Sequence, residues 1–324
     1  MKNTLVTPAV LCICAIIATP VGAQEYPSKT VTIIVPFAAG GAVDTLARIL
    51  GQKLAENLGK PVVVDGRPGD SGNIGARFVA KAPNDGHTLL MSALTTYSMN
   101  ATLMQGQTGY DLDRDFAPVS IVGYLPLVLI VNAYLPANSV PELIRLAKSR
   151  PGQLAFGSAG NGSIEHVAAE VFGRQAKIQI LHVPYRGAAP AIIDLMGGQI
   201  QAILTTTTTA INNFKGGRIK PLMVATAERL ATLPDVRTAR ESGLPGFEIA
   251  STYGILAPAG TPPAIVARLN REFANIVAVP DVKTRFQQLG VETTAMPPEE
   301  AARRIRAEID KWNKVIREAN IKIE

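Results

Sequence analysis

VTIIVPFAAGGAVDTLARIL, residues 31–50, decides the architecture of this chain. Val31-Thr32-Ile33-Ile34-Val35 is an unbroken β-branched run stopped by Pro36, the pattern of a short buried strand. From Val43 the apolar residues recur at Leu46, Ala47, Leu50, Leu54 and Leu58, and Gly59 ends the series. That spacing follows the helical period, with a glycine where a helix normally terminates. Strand, glycine turn and helix make one unit, and the rest of the chain repeats it.

Val62 to Val64 form the next strand, followed by a Gly-rich turn and a helix through Phe78 and Val79, and Thr88 to Met91 a third strand. Strands separated by helices imply a parallel sheet covered on both faces. After a long β-rich stretch from Ala117 to Val131 the alternation resumes. It gives a helix at Pro141–Arg150, strand at Leu154–Gly157, helix at Ser163–Phe172, strand at Ile180–Val183, helix at Ala188–Met196 and strands at Ile200–Leu204 and Lys220–Ala225. A second extended stretch, Phe247 to Ala257, precedes helices at Pro262–Val277, Val282–Leu289 and Pro298–Ala319. Two strand–helix blocks joined by two extended segments predict an α/β chain of two lobes with paired hinge strands. A cleft between such lobes is a usual place for a small-molecule site. The boundaries are set at residues 24–124 plus 251–324 for lobe I and 125–250 for lobe II.

Composition agrees with a folded body. Of 324 residues 47% are hydrophobic and 18% charged, and the 28 Gly and 23 Pro show no repeating period, which excludes disordered, collagen-like and solenoid chains. The net charge is +6, but the densest basic stretch, Arg303 to Lys322, is interrupted by Glu308, Asp310 and Glu318. It reads as a solvated helix face and not as a nucleic-acid stripe. At the start, Lys2, the apolar run Pro8–Ala18 and Val21-Gly22-Ala23 have the layout of a secretory signal peptide, residues 1–23, cleaved after Ala23. Both cysteines, Cys12 and Cys14, fall inside it, so the mature chain has no thiol for a disulfide, a nucleophile or a metal.

The residues that carry chemistry lie mostly in loops. Phe37-Ala38-Ala39-Gly40-Gly41-Ala42-Val43-Asp44 joins the first strand to the first helix, and Ser158-Ala159-Gly160-Asn161-Gly162-Ser163 repeats the arrangement in the second lobe, with His166 in the following helical turn. Each loop is either a plain turn or an anion site, since glycine turns and helix starts present backbone N–H groups and partial positive charge. Two of them facing one cleft would grip an anion from both sides. Gly69 to Gly75 is read as a structural turn, because Asp70 would repel an anion. Dinucleotide and P-loop fingerprints are absent, and His87, His166 and His182 are isolated in sequence, without metal-ligand spacing. Gly69-Asp70-Ser71-Gly72-Asn73 misses the hydrolase motif at its last position. Arg186 is equally a carboxylate clamp or solvated surface. Thr205 to Thr209 either cap a helix or line a pocket with hydroxyls.

Taken together, YPSKTVTIIVPFAAGGAVDTLAR, RPGDSGNIGA, FGSAGNGSIEHVAAEVF, HVPYRGAAPAIIDLMGGQI, ESGLPGFE and YGILAPAGTP resemble, in that order and across the mature chain, the Bug family. These are extracytoplasmic solute receptors of tripartite tricarboxylate transporters. The resemblance implies a type II periplasmic binding protein fold whose lobes close on a small carboxylate (a di- or tricarboxylate, an amino acid or an aromatic acid), held by backbone amides of the loops Phe37–Asp44 and Ser158–His166. It implies a periplasmic, monomeric, non-catalytic receptor without cofactor, serving a membrane permease or none. A sensor feeding a membrane kinase is the alternative, and a secreted hydrolase a more distant one. The chain departs from the family pattern at Asp65-Gly66, Tyr97, Thr205–Thr208 and Thr252. Thr95, Thr96, Tyr97, Tyr185, Arg186, Thr205 and Tyr253 are the expected specificity positions. An acid lost from the pocket wall would suit a dicarboxylate or aromatic acid.

Overall fold

The computed structural model describes residues 26–318 and 320–322. The expected signal peptide lies outside the described residues. In chain order the elements are β1 (Val31–Val35), α1 (Ala42–Leu58), β2 (Val62–Gly66), α2 (Asn73–Ala80), β3 (Thr88–Ala93), α3 (Leu94–Leu103), β4 (Phe116–Asn132), α4 (Val140–Ser149), β5 (Ala155–Ser158), α5 (Ile164–Ala176) and β6 (Leu181–Pro184). They continue with α6 (Ala188–Gly197), β7 (Ala202–Thr206), α7 (Thr207–Asn213), β8 (Ile219–Val224), β9 (Ala250–Pro258), α8 (Pro263–Ala278), α9 (Pro280–Gln288), β10 (Glu292–Thr293) and α10 (Pro298–Glu318).

The strands form a curled sheet in the order β2-β1-β3-β9-β4-β7-β5-β6, with β8 and β10 also paired to β4. β1 is parallel to β2 and β3, and β5 is parallel to β6 and β7. These are the two blocks read from the sequence. Between them β9 and β4 run antiparallel, with Tyr124 opposite Thr252 and Leu125 opposite Ser251. β4 pairs with β9 from Phe116 to Pro126, then with β7 and β8 from Leu127 to Asn132. One 17-residue strand thus belongs to both halves.

Alternation along the strands fills a core on each side of the sheet. Ile33 packs with Leu46, Leu50 and Phe273 on one face, while its neighbour Ile34 packs with Leu90, Leu94 and Ile305 on the other. In β4, Leu127, Leu129 and Val131 face one cluster and Val128 and Ile130 the opposite one. Helix α3 is absent from the sequence reading. Residues 94–100 are all buried, so the segment has no polar face from which a period could be read, and its paired threonines favour strand.

The last helix joins the halves. Ala301 and Ile305 of α10 pack in the first half, whereas Trp312 and Ile316 lie in the core of the second. Between them Glu308 departs from the expected solvated face: it is 6% exposed and accepts hydrogen bonds from the hydroxyls of Thr95 (2.7 Å) and Thr252. The Thr252 amide in turn donates to the Thr95 hydroxyl at 2.9 Å. Glu308→Ala strands both hydroxyls in the core, and denaturant unfolding should show a loss of about 2–4 kcal/mol. Glu308→Gln keeps an acceptor and should lose less. A wild-type midpoint in the alanine variant would show that this node contributes nothing.

Candidate functional site: the cleft between the lobes

The first loop starts where Pro36 ends β1. Gly40 takes φ +87°, and its amide donates to Asp44 Oδ2 at 3.0 Å. Asp44 also holds Arg48 at 2.9 Å, so its carboxylate braces the turn and does not face the cleft. Gly41 is the N-cap of α1 and has no side chain to cap it. The first-turn amides of that helix therefore lack a side-chain acceptor. α6 begins the same way, at Gly187, φ +132°, with no side-chain cap.

The second loop is more fully bonded. Ser158 Oγ accepts from the Gly160 amide at 3.1 Å, and the Gly162 amide donates to His166 Nδ1 at 3.1 Å. Ser163 caps α5 by accepting from the His166 amide at 3.3 Å. His182, isolated in sequence, stacks on His166 with ring centroids 3.8 Å apart and lies 2.6 Å from Ser158 Oγ. Burial lowers the His166 pKa to about 4, and burial with the neighbouring His166 lowers that of His182 to about 3, so both rings are neutral near pH 7. The Ser158–His182 pair has the spacing of a nucleophile and base, but Ser158 is fully buried and bonded within its own turn. Among the described residues no group of His, Cys, Asp or Glu is placed to hold a metal.

The two halves touch. The Ala38 amide donates to the Arg186 carbonyl (3.3 Å), Ser71 Oγ to the Asn161 carbonyl (2.5 Å), and the Ile164 amide to Thr96 Oγ1 (3.3 Å). The turn read as structural, residues 69–75, thus supplies a lobe-to-lobe contact through Ser71. Beside these contacts lies a small cavity of about 30 Å³, room for about two waters. Of the expected residues, Phe37, Ala38, Gly41, Thr96, Ala159 and Tyr253 line it. So do Ala42, Val43, Ile164 and Glu165 from the two expected loops and Thr206 and Thr209 from the threonine run, together with Ala93 and Ala188, which lie outside every expected site segment.

The other expected residues stand elsewhere. Ala39 and Gly40 are exposed at the rim, and Ser158, Gly160, Asn161, Gly162, Ser163 and His166 build the turn behind the cavity wall. Thr95 turns to Glu308, and Tyr97 is buried with its hydroxyl 3.3 Å from the Gly72 carbonyl. The Tyr185 hydroxyl donates to Asp194 at 2.6 Å, and Arg186 is an exposed residue whose carbonyl takes the Ala38 bond. Thr205 is wholly buried and its hydroxyl has no partner, whereas Thr206 both caps α7 and lines the cavity. Thr207 and Thr208 donate to the carbonyls of Gly290 (3.1 Å) and Leu289 (2.9 Å) across the lobes. Thr252 faces Glu308, on the opposite side of β9 from Tyr253. A wider groove of about 950 Å³ lies on that far side, beside Trp312, Arg229 and Glu248, away from both glycine loops.

Glu165 is the ionisable acid of the cavity wall. It is 6% exposed, and burial pushes its pKa from 4.5 to about 7, opposed by hydrogen bonds from its own backbone amide and from Ser163. Between these values the folded chain binds more protons than the unfolded one. Stability therefore falls as pH rises from 4.5 to 7, and the full cost is present above 7. Glu165→Gln should raise the stability of ligand-free protein at pH 8 by about 3 kcal/mol, with the gain vanishing below pH 4.5. Denaturant melts at the two pH values check this; an equal gain at both would mean that charge is not its source.

Residues 46–321 match the model of the tripartite tricarboxylate transporter family receptor. A protein of Pseudomonas sp. strain P51, "UPF0065 protein in tcbD-tcbE intergenic region", is 40% identical over 294 residues, covering 90% of this chain and 87% of that one. The solved structure of R. palustris Rpa4515 with adipate is 36% identical, TM-score 0.89, covering 92% of this chain and 99% of that one. The periplasmic binding protein BugD is 32% identical, TM-score 0.87, with the same coverage. The two-lobed α/β fold, the glycine loops at its cleft and these likenesses agree: the chain belongs to the tripartite tricarboxylate transporter receptor family, the Bug receptors.

Proposed function

We propose that this chain is a periplasmic receptor that captures a small carboxylate between its lobes for a tripartite membrane permease. One observation carries the reading. The uncapped starts of α1 and α6, one in each half, meet at a closed cavity also lined by the hydroxyl-bearing residues Thr96, Thr206 and Thr209. Helix starts place N–H donors and about half a positive charge where an anion would sit. Among the described residues no Lys or Arg lines the cavity, so neutral dipoles are left to solvate the carboxylate.

The cavity as closed is too small for a compound the size of adipate, so capture requires the lobes to part. The hinge is placed where β4 and β9 pass between the halves, with the last turns of α10 moving with the second lobe because Trp312 and Ile316 pack there. Closure then remakes the bonds from Ala38, Ser71 and Ile164 beside the ligand, and excluding water strengthens each amide contact. No step of this cycle makes or breaks a covalent bond. Residues 1–23 are removed on export, leaving Gln24 as the first residue, which intact-mass measurement of secreted protein would read directly.

A thermal-shift screen of mono-, di- and tricarboxylates tests the ligand class. A carboxylate at 100 times its dissociation constant should add about 2.7 kcal/mol of stability. Gly187→Val should weaken that binding tenfold or more, because a side chain there would meet the Ala38 amide at 2.9 Å and hold the lobes apart. Stabilisation by neutral sugars or amines with none by any carboxylate would overturn the reading.

A further inference from the structure

We propose that the captured carboxylate also carries a protonated nitrogen, and that Glu165 is the specificity residue that pairs with it. The inference rests on the carboxylate-receptor reading and narrows its substrate class to small amino acids. Glu165 sits in the first turn of α5, lines the cavity and is almost wholly buried. Its hydrogen bonds come from the Ser163 side chain and its own backbone amide. A carboxylate has room for about four such bonds, so part of its accepting capacity is unused.

No protein cation answers it. The ionisable group facing Glu165 is Tyr253 on β9, whose phenol feels the Glu165 charge and is raised by burial and by that charge. On its own helix the neighbour is His166, stacked on His182 of β6, and both rings are held neutral by burial. Arg48 is committed to Asp44 at 2.9 Å and points to solvent, and Arg186 is exposed. Among the described residues the cavity wall therefore carries one acid and no base.

That composition fits poorly with a ligand that is only an anion. A second carboxylate in so small a closed space meets like charge with little water to screen it. A ligand with both charges pairs each of these groups: its carboxylate takes the helix-start amides, and its ammonium supplies donors to the accepting positions that Glu165 has left over. The rest of the lining includes the aromatic residues Phe37 and Tyr253, a residue type that attracts cations, beside Thr96, Thr206 and Thr209. Nothing in the chain's linear pattern marks Glu165 for this role. The position emerges from the fold, which brings the α5 start against β9.

Calorimetry of full mature protein at pH 7.5 with matched pairs tests this: L-aspartate against succinate, L-glutamate against glutarate, γ-aminobutyrate against butyrate. In at least one pair the ammonium-bearing member should bind tenfold or more tighter than its partner. Glu165→Gln should erase most of that preference, while the variant's own melt reports that it is folded. If the nitrogen-free members bind tighter, and tighten further as pH falls from 8 to 6, Glu165 is a proton donor to a plain carboxylate and the proposal is wrong, with the receptor reading intact. If ammonium compounds win but Glu165→Gln leaves the ratio unchanged, the assignment to Glu165 fails. If no member of either set binds, both the proposal and the carboxylate reading fall.

Discussion

Backbone amides at the start of a helix have no acceptor within the helix, and in this protein such starts from α1 and α6 are directed from opposite halves at one small closed space. Everything else in the architecture serves that convergence. Parallel strands place their following helices with N-termini at one edge of the sheet, and each half has its own parallel block. Gly160 and Gly187 adopt positive φ, and a Cβ at either would meet the opposite half, Ser71 at 2.6 Å and the Ala38 amide at 2.9 Å. Apart from Glu165, the polar side chains that line the wall are the threonines Thr96, Thr206 and Thr209 and the phenol of Tyr253.

The same convergence explains why the halves must move. Amides that point at an anion gain most when water is excluded, yet an enclosed site admits nothing. A single strand shared by the two halves fits the proposed opening, because the pairing of β4 with β9 and β7 runs unbroken through the crossing. Glu308 fastens α3, β9 and α10 together on the far side of that crossing. Ser71, in the left-handed region at φ 48°, is strained for a residue with a side chain, and its bond to the Asn161 carbonyl is the contact that this strain serves.

The two-block plan was readable because its signals are local. Val31–Val35 and the Leu46-Leu50-Leu54 stripe specify a strand and helix without reference to anything distant, and the two glycine loops are visible as turns. The two extended segments between the blocks are visible in the same way, as the paired strands that join them. What could not be read was direction. Thr95 and Thr96 are neighbours, yet one faces Glu308 and the other the cleft, because both sit on a helix whose fully buried face erases its period. Thr252 and Tyr253 divide likewise by strand alternation about a register that sequence does not give. His166 and His182 are 16 positions apart and become stacked only through the pairing of β5 with β6. Glu165 stood beside a residue that attracted attention and was passed over, since an acid in an anion site looks wrong until the absence of a neighbouring base is seen.

The account is tested most directly by a crystal structure of the protein with its captured carboxylate in place. It predicts carboxylate oxygens about 3 Å from first-turn amides of both α1 and α6, with the lobes shut over them. A ligand lodged instead in the open groove beside Trp312, or held in the cleft by side chains with neither helix start in contact, would contradict it.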